Sequence, residues 1–131
     1  MDLEDRQFPD DHILAIGIRT AAVLGVCALA VASVGPSSWL PKPLYSTNLE
    51  HFAAFYLLAL AFAAARYRTS LTVILRDTGV LATALEAARW LLPGPRQGNF
   101  DHWMADLGGV LATGAPLFVA AFRRKFRYGA P

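Results

Sequence analysis

Charge is scarce in this chain. Only 17% of its 131 residues are Asp, Glu, Lys or Arg, while 55% are hydrophobic. A soluble domain carries about a quarter charged residues, so the shortage argues against a fold bathed in water. Cysteine is almost missing. The lone Cys27 excludes an intrachain disulfide and offers no metal-ligand spacing. Set between Val26 and Ala28, it reads as a small packing residue. No P-loop, glycine-rich dinucleotide fingerprint, GxSxG or HExxH is present, so no motif calls for a nucleotide, a cofactor or zinc. A strong excess of one charge is missing too. The formal net charge is +2, and without stacked-aromatic or zinc-knuckle patterns nothing points to nucleic acid. A basic n-region is also lacking. The chain opens MDLEDRQFPDD, acidic where a signal peptide is basic, so the first apolar run is expected to stay as an uncleaved membrane helix.

What the chain has is length in its apolar runs, with a mean hydropathy of +0.37. Four segments are expected as helices, at about 13–34, 49–67, 70–92 and 101–122, each near the ~20 residues a bilayer span requires. The first is interrupted only by Arg19 and stops at Gly35-Pro36, a helix-ending pair. Asn48 is the expected N-cap of the second. The third carries Arg76, Asp77, Glu86 and Arg89 and is the least apolar. The loop PSSWLPKPLYSTN places Trp39 and Tyr45 where aromatics favour the membrane–water interface. The fold class expected is all-α: a polytopic membrane protein, a bundle of four transmembrane helices in a single domain.

Basic residues set the expected orientation. Arg66 and Arg68 lie between the second and third segments, and Arg123, Arg124, Lys125 and Arg127 follow the fourth. Cytoplasmic loops collect Lys and Arg, which places both termini and the Arg66–Arg68 loop inside. Four spans keep these clusters on one side, whereas three would divide them.

That orientation brings the start of the second helix, the end of the third and the start of the fourth to the outer face. These are the places of His51, Glu86, Arg89, Asp101 and Asp106, with Arg96 in the connecting loop. Ionisable groups are expensive in a membrane and usually pair or line a site. Glu86 and Arg89 stand at i, i+3, on one helix face, and can form a local ion pair that lowers the cost of both charges; the alternative is that Glu86 faces the interior and meets His51, with Asp101 orienting the imidazole. At 3.6 residues per turn, Asp101 and Asp106 point about 140° apart, so one helix cannot aim both at one spot. Asp106 shares a face with His102. Gly108, Gly109 and Gly114 form a small-residue surface suited to close helix packing.

These residues carry a family resemblance. His51-Phe52 with Phe55 at a helix start, Glu86 followed by Pro93-Gly94 and Arg96, and Asp101 followed by Gly108-Gly109 resemble the VanZ-like membrane proteins over residues 48–114. Arg89 stands where that family often has Gln, Asp106 where it often has Asn, and Thr47-Asn48 where an Asp-Lys commonly precedes the His. The resemblance implies a small protein of the bacterial inner membrane and cell envelope, in a family named for a link to teicoplanin resistance.

Three functions are open at this stage. One is an envelope protein that binds membrane lipid, a lipid-linked cell-wall precursor or a glycopeptide at its outer face. Another is a membrane-embedded acid–base enzyme acting on a lipid headgroup. The last is a subunit of a small proton-coupled transporter, which four short helices could form only as an oligomer.

Overall fold

The computed structural model describes residues 13–39, 42, 46–93 and 97–127. Four α-helices follow one another: α1 over Ile13–Val34, α2 over Thr47–Ala65, α3 over Leu71–Leu91 and α4 over Phe100–Arg127, with a short 3-10 turn at Ser37–Trp39. No strand occurs among the described residues. Three of the helices, α1, α2 and α4, are long and apolar enough to cross a membrane, which is the make-up of a multi-pass membrane protein. α3 has the length, at 21 residues, but its four charges keep it out of that group.

Local chemistry sets the helix ends. α2 begins two residues earlier than expected because Ser46, not Asn48, is its cap: Ser46 is extended (φ −98°, ψ 141°) and its hydroxyl accepts from the Leu49 N–H at 3.2 Å. An N-cap of this kind satisfies one of the donors a helix start leaves open. Asn99 does the same for α4, its side-chain oxygen accepting from the Asp101 N–H at 2.9 Å. α4 runs through Arg123–Lys125 rather than stopping at 122, since Arg and Lys are good helix formers. Pro116 lies inside it and leaves one backbone carbonyl without its usual N–H partner.

The largest interface joins α2 to α4, and the two run parallel. His51 meets Asp106, Phe52 meets Gly108 and Gly109, and Tyr56 meets Thr113, so rising numbers on one helix match rising numbers on the other. Gly109 makes this possible. Any Cβ there would run into the Phe52 carbonyl and approach the Tyr56 nitrogen to 2.9 Å. The Thr113 hydroxyl, 3.4 Å from the Tyr56 carbonyl, adds a polar tie of the kind that small-residue membrane interfaces use. α3 runs antiparallel to α4, with Thr83 opposite Trp103 and Gly79 opposite Leu107.

Phe55, Leu58, Ala82 and Val110 form the buried core, with Val26 and Leu29 of α1 packed against it. α1 is otherwise peripheral, with Ala22 its only buried residue. Its outward face shows Leu14, Val23 and Leu24, apolar side chains that suit lipid rather than water.

Candidate functional site

Helix packing gathers polar side chains at the end of the bundle formed by the start of α2, the end of α3 and the start of α4. The His51 Nδ1 lies 2.8 Å from the Asp106 Oδ1, with the Asp106 side chain 4% exposed and the His51 side chain 23% exposed. An ionised carboxylate only accepts, so with Asp106 in that form the proton of this bond sits on Nδ1 and Nε2 is the ring nitrogen left outside it. His102 stacks on His51, ring centroids 4.5 Å apart and planes 12° from parallel. The i, i+4 spacing of His102 and Asp106 lets α4 present a ring and a carboxylate to the same imidazole.

The second pair lies on α3. The Arg89 Nη1 donates to the Glu86 Oε2 at 3.0 Å, both side chains less than a tenth exposed. The other carboxylate oxygen accepts the backbone N–H of Asn99. Glu86 therefore ties the end of α3 to the residue that caps α4. The two pairs share one end of the bundle, where Asn99 at the head of α4 joins Glu86 of α3 and His102 of α4 stacks on His51 of α2. Two buried nitrogens, the Arg89 Nε and the His102 Nδ1, have no hydrogen-bond partner among the described residues. Nearby, the Trp103 indole N–H donates to the Thr83 hydroxyl at 3.1 Å and Phe100 packs on Trp103 at 5.4 Å.

His51, Glu86, Arg89 and Asp106 thus lie at one end of the bundle; of the two pairings open to Glu86, the local one with Arg89 forms, and the partner of His51 differs from the expected one. The carboxylate on His51 is Asp106, and Glu86 is engaged by Arg89 and Asn99. Asp101 is exposed, with its backbone N–H held by Asn99. The rotation of α4 that seats Gly109 on α2 aims Asp106 at His51, and the 140° offset turns Asp101 away. Arg96 lies outside the described residues. His102 and Asn99 were not among the residues expected at the centre. The face that His102 shares with Asp106 signals the former, whereas the part Asn99 plays depends on loop geometry.

Chemically, the unit offers an imidazole oriented by a buried carboxylate, a second imidazole stacked on it, and a guanidinium with donors to spare. No group of three or more His, Cys, Asp and Glu side chains poised to hold a metal occurs among the described residues. No protein-family model matches the chain, and no curated protein or solved structure matches it.

Proposed function

We propose that the protein is a four-span, VanZ-like protein of the bacterial inner membrane, with both termini cytoplasmic, that binds a lipid-linked or cell-wall ligand at its outer face. The observation that carries this reading is the buried polar unit drawn from three helices at one end of the bundle. Ionisable groups held inside an apolar bundle mark ligand or proton sites by default. The parallel packing of α2 and α4 supports the fourth span. Two parallel helices that both cross a membrane require the chain between them to cross back, and α3 is the element there, about 32 Å long at 1.5 Å per residue. The basic residues support the orientation: Arg66, Arg68 and Arg76 share the opposite end of the bundle with the end of α4. The residues that depart from the VanZ-like pattern each make a close contact: Arg89 a buried ion pair with Glu86 and Asp106 a hydrogen bond with His51, where the family often has Gln and Asn.

Reporter fusions after Gly35, Thr69, Pro95 and Pro131 test the topology: Thr69 and Pro131 should report cytoplasm, Gly35 and Pro95 the outside. An external signal at Pro131 sinks it. For the site, His51→Ala, Glu86→Gln and Asp106→Asn should lower an envelope readout such as glycopeptide tolerance by more than they lower membrane abundance, which changes at buried polar positions reduce in their own right. Loss of abundance in all three would reduce the unit to structural glue.

The His51–Asp106 contact favours a second reading. A carboxylate on Nδ1 leaves Nε2 positioned as a general base, the arrangement acid–base enzymes use. Incubation of the purified protein with lipid extracts separates the two: intact bound lipid supports the binding reading, and a cleaved headgroup supports the enzyme.

A further inference from the structure

Beside the Glu86–Arg89 pair, the end of α3 and the residues leading into α4 enclose an open groove of about 680 Å³ whose lining includes Arg89, Trp90, Leu91, Leu92, Gln97 and Gly98. The groove is two-sided. Trp90, Leu91 and Leu92 are 58%, 81% and 56% exposed and form an apolar rim. Arg89 is its one charged lining residue among those described, and the Arg89 side chain is only 7% exposed.

The unpartnered side-chain group beside the groove is a donor. A guanidinium has five N–H groups and accepts nothing. Arg89 gives Nη1 to Glu86, and its Nε has no partner among the described residues. Both oxygens of Glu86 are engaged, by Arg89 and by the Asn99 N–H, so the carboxylate has no need of a further donor. Arg89, beside the groove, thus holds a covered N–H with no acceptor among the described residues, and an anionic acceptor suits it best. A dianion would meet Glu86 close by, so a single negative charge fits better. Gly98 keeps the wall closed, since a Cβ there would strike the Trp90 indole.

Resting on the outer-interface reading of this end, we propose that the groove binds the phosphodiester headgroup of a membrane lipid. Arg89 donates to the phosphate oxygens, the Gln97 amide adds a donor at the mouth, and Trp90–Leu92 lie along the glycerol and the first acyl carbons. Arginine is the residue suited to multidentate phosphate contacts, and Trp belongs at headgroup depth. This names a chemical class for the ligand and assigns it to a guanidinium that is otherwise spent only on an internal pair.

The test is native mass spectrometry of the full chain in detergent. It is titrated with dioleoylphosphatidylglycerol, with dioleoylglycerol, which lacks phosphate, and with inorganic phosphate, which lacks chains. One saturable copy of the phospholipid should bind, with dioleoylglycerol weaker by roughly tenfold or more, the scale of losing charge-assisted hydrogen bonds. Arg89→Lys keeps a cation for Glu86 but has no Nε–H, and should weaken the phospholipid by roughly fivefold. Gln97→Glu, at an exposed position, puts a negative charge at the mouth and should weaken it similarly; it carries the test if Arg89→Lys fails to fold. Equal binding of dioleoylglycerol, or phospholipid affinity unchanged in Gln97→Glu, overturns the proposal. Inorganic phosphate binding as tightly as the lipid overturns the lipid assignment. A Pro95 fusion that reports cytoplasm would sink the outer-face reading while leaving saturable phospholipid binding intact, so the two fail separately.

Discussion

The two ends of this bundle handle charge in opposite ways. At the end where α2 turns into α3, Asp77 bonds to Arg66 at 3.0 Å and to Arg76 at 2.8 Å, and these side chains are 34%, 47% and 68% exposed. At the other end the carboxylates of Glu86 and Asp106 and the guanidinium of Arg89 are almost wholly covered. Exposed pairs hold little energy and serve well enough as interfacial anchors, where long Arg side chains reach polar surroundings. Buried pairs are different. Their desolvation is so expensive that a well-packed apolar substitute often does as well for stability. The covered end therefore carries a desolvation cost that the open end does not, and the proposed site rests on that asymmetry.

The contrast can be broken most severely at Arg89. Arg89→Leu leaves Glu86 buried without its counter-charge and should destabilise the fold by about 3–5 kcal/mol, whereas the double change Glu86→Leu/Arg89→Leu should recover most of that. Unfolding in detergent, run as a double-mutant cycle, reads the difference. The next effect separates two acids of one helix. Asp106→Ala removes the partner of His51 and should lose about 1.5–3 kcal/mol, the range for a hydrogen bond to a charged group. The exposed Asp101→Ala should stay within about 0.5 kcal/mol. Equal effects would mean that the α4 rotation is misassigned. Gly109→Ala should lower stability by about 1–3 kcal/mol through overpacking and also reduce ligand binding, because it separates His51 from Asp106. The smallest effect belongs to the anchoring end: Arg66→Ala should shift stability by no more than about 1 kcal/mol, and less in high salt.

Much of the fold was legible along the chain. Long apolar runs between Gly-Pro and Pro-Gly-Pro breaks are one-dimensional signals, and α1 has the bounds its hydropathy implies, Ile13–Val34. The gathering of His51, Glu86, Arg89 and Asp106 at one end follows from alternating helix direction alone. Within the gathering, the Glu86–Arg89 pair was legible from its i, i+3 spacing, but the partner of His51 was not. Which of Asp101 and Asp106 meets His51 depends on how α4 is rotated, and that rotation is set by backbone contact at Gly109, a three-dimensional event. The hint was the shared face of His102 and Asp106. The cap of α2 was misread because Ser46 and Asn48 are both good caps and only the backbone distinguishes them. The groove beside Arg89 is a space between elements, and no residue pattern announces a space.

The parallel pairing of α2 with α4 also bears on how the molecule is made. His51 and Asp106 are 55 positions apart in the chain, so the imidazole is synthesised well before the carboxylate that completes it. At about 5–20 residues per second that interval lasts several seconds. For that time α2 has no Gly109 to pack on and no acid to engage its histidine. Assembly is therefore ordered by arrival: α4 supplies the partner for α2, and the His51–Asp106 contact forms only once α4 has been made.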